Sequence, residues 1–149
     1  KRRKEMEKDE LLKIENQLCF KIYSVSRGIT RAYRPILEKL SLTYPQYLVM
    51  LFLWENGDSK MKEISKTLFL DSGTLTPVIK KLENTGYIKR ERDKSDERDL
   101  IVSVTEEGKK LKEKALEIPE QILYKTNLSF EKYTLLKKEF DELLKQLDL

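Results

Sequence analysis

From Leu11 onward the apolar residues Leu11, Ile14, Leu18, Ile22, Val25 and Ile29 recur every three or four positions, with polar and charged residues between them. That spacing lays one stripe along a helix, so a long amphipathic helix is predicted to open the chain. Pro35 has no backbone N–H and disfavours helical geometry at Arg34, which predicts an end or kink near Tyr33 and a short turn of helix through Leu40. Thr43, followed three residues later by Gln46 and with Pro45 in the first turn, starts a second helix. Its body from Tyr47 to Trp54 is apolar almost all round, the mark of a helix buried in the domain centre, and Gly57 ends it.

In the middle of the chain the pattern shortens. Met61, Ile64 and Leu68 share one helical face, Phe69 to Gly73 make a turn, and Leu75, Val78, Ile79 and Leu82 form the core face of a further helix. Asp71, Ser72 or Thr74 can cap that helix; because Pro77 deletes a hydrogen bond if it lies deep inside, a late, irregular start is expected. Gly86 ends it. Tyr87 to Arg92 and Leu100 to Val104 then read as the strands of a hairpin with a charged tip, Asp93 to Asp99. Thr105 is expected to cap a helix running from Glu106 through Lys125, kinked at Pro119, and Ser129 a last helix with the stripe Leu136, Phe140, Leu143 and Leu147. The fold class is mostly α with a small β-hairpin wing (α+β). Residues 1–10 form a charged N-terminal extension, 11–42 and 106–149 a helical dimerisation region, and 43–105 a winged helix-turn-helix DNA-binding region. A helix of about 25 residues spans roughly 35 Å, more than the central domain needs, and its stripe would stay wet in a monomer, so a homodimer is expected.

Composition narrows the chemistry. With 149 residues, 39% hydrophobic and 38% charged, the chain suits one compact unit with helical arms and excludes a disordered tail protein. The formal charge of +4 is too mild to establish a polyanionic partner, so the placement of charge must decide. There is no histidine and a single cysteine, Cys19, which excludes zinc enzymes, Ser-His-Asp hydrolases, an internal disulfide and a thiolate metal cluster; no cofactor is expected. The apolar run Tyr47 to Trp54 falls far short of the roughly 20 residues that span a bilayer, and the charged start has no apolar signal region behind it, which points to the cytoplasm.

Helix, turn, helix and hairpin is the order of a winged helix-turn-helix, whose second helix enters the major groove of double-stranded DNA while the hairpin reaches a minor groove. Ser72, Thr74 and Thr76 supply short donors at the front of that helix, and Lys80 and Lys81 supply phosphate contacts further along. In the hairpin Lys89, Arg90, Arg92, Lys94 and Arg98 interleave with Glu91, Asp93, Asp96, Glu97 and Asp99, so position rather than net charge must act. Asp96, two residues from Arg98, can orient its guanidinium for a narrow minor groove. An ordinary solvated face and a mixed-charge loop would carry the same residue types. Cys19 reads either as an inert small residue or as a reactive thiol. Placed well inside its helix it is too far from the helix end, and Lys21 faces elsewhere, which leaves the phenols of Tyr23, Tyr33 and Tyr44 as candidate donors.

Leu18-Cys19-Phe20 with Tyr23, Ser26-Arg27, Thr30, Tyr33 and Pro35, then Leu42 to Tyr47, Leu70 to Pro77, Asp96-Glu97-Arg98 and Thr105 to Gly108, resemble the organic-hydroperoxide-sensing branch of the MarR family of repressors, in order along nearly the whole chain. The resemblance implies a homodimer in which Cys19 of one subunit is hydrogen-bonded by Tyr33 and Tyr44 of the other, and an Arg98 that enters the minor groove. This chain has no second, resolving cysteine, so it is similar to the members that finish the reaction with a low-molecular-weight thiol. The function implied is a repressor that holds a pseudo-palindromic operator when reduced and releases it when an organic hydroperoxide oxidises Cys19 to a sulfenic acid, which forms a mixed disulfide or proceeds to higher acids. Two alternatives stand beside it: a repressor answering a small aromatic or acidic ligand, or a broader stress or virulence regulator using the same thiol. A thiol peroxidase is disfavoured, because neither a resolving Cys nor an Arg or Thr beside the thiol is present, and no enzyme is expected.

Overall fold

The structure, a computed structural model, describes residues 8–147; of the charged extension, residues 1–7 lie outside the described residues. The first elements are a single turn, α1 (Lys8–Leu11), and a 3-10 turn, Ile14–Asn16, before α2 (Leu18–Glu38). The opening stripe is therefore broken rather than continuous. Asn16 Nδ2 donates to Glu10 O at 2.7 Å and Gln17 Nε2 to Leu11 O at 2.5 Å, so two side-chain amides take up carbonyls of the first turn and end it. α2 also runs past Tyr33 and through Pro35 to Glu38, further than Pro35 predicts. Ile36 and Leu37 are buried in the core beyond it, and Lys125 Nζ donates to Ala32 O at 3.3 Å in the turn the proline disturbs. Tertiary packing outweighs the lost hydrogen bond.

The core gathers around α3 (Tyr44–Asn56), as its all-round apolar sequence requires. Thr43 N donates to Gln46 Oε1 at 2.9 Å while Thr43 Oγ1 accepts from Gln46 N, the reciprocal cap expected at its start. Val49, Met50 and Leu53 are fully enclosed, meeting Ile64 of α4 (Met61–Leu68) and Leu75, Ile79 and Leu82 of α5 (Ser72–Thr85). α5 begins at Ser72, earlier and more regularly than Pro77 predicts: Asp71 Oδ1 accepts from Thr74 N at 2.8 Å, and the buried Leu75 and Ile79 hold the turns either side of the proline. Gly86, at φ +90°, turns the chain out of α5.

A short strand, β1 (Ser59–Lys60), joins the two of the hairpin, β2 (Ile88–Arg92) and β3 (Leu100–Val104), in an antiparallel sheet of order β1-β3-β2. β1 pairs Ser59 with Val102 and Lys60 with Ile101, which lays the start of α4 against the tip end of the hairpin. After β3, the expected single helix is two: α6 (Glu106–Ala115) and α7 (Ile118–Thr126), with Leu116 and Glu117 between them and Pro119 in the first turn of α7 instead of at a kink. Pro119 begins a helix because its missing N–H is not required there. Gly108 of α6 lies against the sheet so closely that an added Cβ would stand 2.2 Å from Tyr87 O. The last helix, α8 (Phe130–Gln146), is capped by Ser129 and has no buried residue. Leu136, Phe140 and Leu143 on α8, Leu147 just past its end, and Leu18 and Val25 on α2 are all exposed.

Candidate DNA interface and thiol site

α5 stands out from the core with its polar side free. Ser72, Thr74, Thr76, Lys80 and Lys81 are all exposed, and the Thr74 hydroxyl lies 3.2 Å from Asp71 Oδ2. The helix front thus presents hydroxyls beside backbone amides and its later turns present ammonium groups, an arrangement that suits an anionic backbone. In the wing, Asp96 holds Arg98 at three points: Oδ1 accepts from Nε at 3.0 Å and from the backbone N at 3.1 Å, and Oδ2 accepts from Nη2 at 3.1 Å. The Arg98 side chain is nonetheless 89% exposed, so an oriented cation projects into solvent. Ser72, Thr76 and Arg98 line one groove of about 400 Å³ with Met61, Lys62 and Ser65, so the fold brings helix front and wing tip to one face.

The other wing cations differ among themselves. Arg90 is turned inward: Nη2 lies 2.9 Å and Nε 3.2 Å from Glu83 Oε1, and its backbone N donates to Glu83 Oε2 at 3.0 Å. With only 24% of its side chain exposed, Arg90 ties the wing to the end of α5 rather than offering a free guanidinium. Glu83 titrates below the ordinary carboxylate range because Arg90 hydrogen-bonds it. Arg92 Nη1 donates to Glu97 O across the tip, and Lys94 is exposed. Sequence reasoning missed Lys60, whose ammonium lies 2.8 Å from Asp99 Oδ2 and 3.1 Å from Asp93 Oδ2. Asp93 also accepts from Ser95 N and Ser95 Oγ, and these bonds, with Lys60, bring its carboxyl down to about 2. The missing signal is tertiary: only β1 pairing brings Lys60 beside a loop more than thirty residues away.

Cys19 is exposed and sits in the first turn of α2, not well inside it, because the opening helix is interrupted before Leu18. It is the second residue of a helix of 21 residues. Tyr23, one turn further on, is exposed and carries the Arg27 guanidinium 5.5 Å from its ring centre. Tyr33 and Tyr44 lie together, ring centres 4.7 Å apart, with Tyr47, which sequence reasoning passed over as core, 5.8 Å from Tyr33. Burial, then the neighbouring phenols Tyr44, Tyr47 and Tyr133, push the Tyr33 hydroxyl well above its ordinary range; burial raises Tyr44 as well. Among the described residues neither hydroxyl makes a hydrogen bond within the protomer. Fourteen residues of helix separate Cys19 from Tyr33, about 21 Å along the axis, so thiol and phenols of one chain do not meet.

Exposed helix, oriented wing arginine and three-stranded sheet define a winged-helix transcription regulator. A family model described as transcriptional regulator SarA/Rot matches residues 31–115. The organic hydroperoxide resistance transcriptional regulator of Bacillus subtilis (strain 168) is 48% identical over 136 residues, 91% of this chain and 92% of its own length. Among solved structures, reduced AbfR bound to DNA is 40% identical at a TM-score of 0.79, covering 95% of this chain and 97% of AbfR. Overoxidised AbfR bound to DNA is 39% identical at a TM-score of 0.76, covering 95% and 99%; AbfR is a protein of Staphylococcus epidermidis. The chain belongs to the SarA/Rot type of MarR-family winged-helix regulators.

Proposed function

We propose that this regulator is a homodimeric repressor that senses organic hydroperoxides through Cys19 and releases a pseudo-palindromic operator on oxidation. The observation that carries the reading is the separation within one chain of an exposed thiol at the start of α2 from a pair of unpartnered phenols near its end, on a helix whose apolar stripe is uncovered. Two copies of α2 running antiparallel bring each Cys19 to the partner subunit's phenols, and the stripes of α2 and α8 are then buried. Residues 11–42 and 106–149 serve dimerisation and residues 43–105 bind DNA. Ser72, Thr74 and Thr76 meet base edges, Lys80, Lys81, Arg92 and Lys94 meet phosphates, and Arg98 occupies the minor groove. Arg90 acts from behind, through Glu83.

In the sensing step the Cys19 thiolate attacks the outer oxygen of the hydroperoxide. An S–O bond forms as the O–O bond breaks, and the alkoxide leaves and takes a proton to become the alcohol. The sulfenic acid then condenses with a small cellular thiol, forming a mixed disulfide and releasing water. AbfR is bound to DNA both when reduced and when overoxidised, which supports release by the bulk of a mixed disulfide rather than by added oxygens. The chemistry is stoichiometric, not turnover, and the site of action is the cytoplasm; no helix of the described residues is long and apolar enough to cross a membrane.

A second reading rests on a groove of about 780 Å³ between α3, α6 and α8, lined by Tyr47, Leu51, Trp54, Leu116 and Tyr133 together with two lysines, Lys112 and Lys137, and one acid, Glu55. These groups suit a small aromatic acid. One experiment separates the two: a duplex selected from a random pool by the reduced protein is titrated with wild type and Cys19→Ser, with and without cumene hydroperoxide plus a small thiol. Under the proposal wild type releases and Cys19→Ser stays bound. Wild type remaining on DNA once mass spectrometry shows Cys19 in a mixed disulfide would overturn the redox reading in favour of the groove.

A further inference from the structure

The wing loop carries acidic residues at both of its ends, and neither is accounted for by contact with DNA. Asp93 and Asp99 flank the tip where β2 and β3 part, and Asp93 N donates to Asp99 O at 2.9 Å, so the two carboxylates are forced to one side of the hairpin. Two carboxylates this close repel each other and face an electronegative groove when the wing is docked. Lys60 answers both. Its ammonium bridges Asp99 at 2.8 Å and Asp93 at 3.1 Å, and its own backbone is fixed twice, by pairing with Ile101 and by donation to Glu63 Oε2 at 2.8 Å in the cap of α4.

From Lys60 the connections run on to the tip. Asp93 Oδ1 accepts from Ser95 N at 2.9 Å, and Asp99 N donates to Asp96 O at 2.9 Å. Asp96 is the residue whose carboxylate holds Arg98 in a two-pronged grip. Lys60 itself points at carboxylates, not at the exposed face of α5. We infer that Lys60 is a positioning residue for DNA recognition: it clamps the wing loop to the start of α4 and thereby sets the Asp96 and Arg98 pair at the height and angle at which the arginine enters the minor groove. This inference rests on the wing reading above.

The clamp predicts a sign that simple electrostatics does not. Removing a carboxylate from a loop that approaches DNA should tighten binding if charge alone matters, whereas loosening the clamp should weaken it by misplacing Arg98. The test measures affinity for a duplex selected from a random pool by the reduced wild type, using K60M, K60R, D99N, R98A and K60M/R98A. D99N opens one ion pair and K60M both, so D99N should weaken binding about two- to five-fold and K60M about three- to ten-fold, while K60R stays within about two-fold of wild type. In the R98A background K60M should add less than about two-fold, because there is no arginine left to position. K60M and D99N should also share the loss of preference for A·T over G·C at the flanking positions that R98A shows. Equal losses from K60M in both backgrounds, or tighter binding by D99N, would overturn the clamp. An R98A protein that binds as wild type would instead bring down the wing reading beneath it. Should K60M melt far below wild type, the sign of the D99N effect decides alone.

Discussion

Replacing Gly108 by alanine puts one methyl group where the structure has no room. The added Cβ would lie 2.2 Å from Tyr87 O and 2.6 Å from Val104 Cγ1, whereas comfortable carbon contacts begin near 3.5 Å, an overlap of about 1 Å against backbone that cannot rotate away. Relief requires α6 to lift from the sheet. That movement strains two hydrogen bonds, Trp54 Nε1 to Gly108 O at 3.0 Å and Gly108 N to Thr105 Oγ1 at 3.2 Å. Overpacking costs about 1–3 kcal/mol and a weakened N-cap about 1 more, so a loss of roughly 2–4 kcal/mol is expected. For a chain of this size that lowers the melting temperature by about 5–15 °C. Gly28→Ala is the control, since nothing lies within 4 Å of its Cβ position in the protomer; it should be neutral or stabilise by about 0.5–1 kcal/mol through helix propensity. Thermal melts of both variants by circular dichroism at one protein concentration make the comparison. A Gly108→Ala protein as stable as wild type would refute the close packing of α6 on the wing sheet.

Charged replacements of Leu143 on α8 and Leu147 just past its end, both exposed, should leave monomers or insoluble chain in light scattering after size exclusion; a folded monomer that binds DNA as tightly as wild type would contradict pairing through that stripe. Alkaline pH gives a separate check on the phenol cluster. Tyr33, Tyr44 and Tyr47 are raised by burial, so they keep their protons in the folded state at a pH where the unfolded chain ionises. Their contribution to stability is complete below about pH 10 and falls as the pH rises past it. Ultraviolet titration should find four late phenolates, these three and Tyr87, which burial also raises, and the denaturant midpoint should fall as the pH rises above about 10. Ionisation of Tyr33, Tyr44 and Tyr47 at the ordinary value would show that the cluster is wet.

How legible the molecule was in its sequence depends on whether the deciding interaction is local. The Thr43 and Gln46 cap, the end of α5 at Gly86 and the span Met61–Leu68 all rest on residues within one turn of each other, and each lies where the pattern puts it. Prolines misled in both directions: Pro35 and Pro77 sit inside regular helices because buried neighbours, Ile36 and Leu37 after the first and Leu75 and Ile79 around the second, hold the backbone, whereas Pro119 stands at the start of a separate helix where only a kink was expected. β1 has two residues and no periodicity; it exists because β3 lies beside it. A separation of more than thirty residues hid Lys60, while Arg90 meets Glu83 only seven residues away, through the turn at Gly86 that folds β2 back beside the end of α5. Cys19 reads from sequence as lying well inside its helix, but the break before Leu18, made by the amides of Asn16 and Gln17, moves it to a helix end.

α8 has seventeen residues and not one of them is buried, so in a lone protomer little beyond its own backbone hydrogen bonds, its Ser129 cap and the approach of Tyr133 to Tyr33 and Tyr47 holds it. Isolated helices of that length are marginal in water. Its order must therefore be borrowed from whatever covers Leu136, Phe140 and Leu143, and by mass action the concentration of that cover enters the stability of the helix itself. Amide exchange along α8 should accordingly slow as the protein is concentrated while exchange in α3 stays unchanged. On the proposed dimer, α8 obeys a second-order equilibrium and the core around α3 a first-order one.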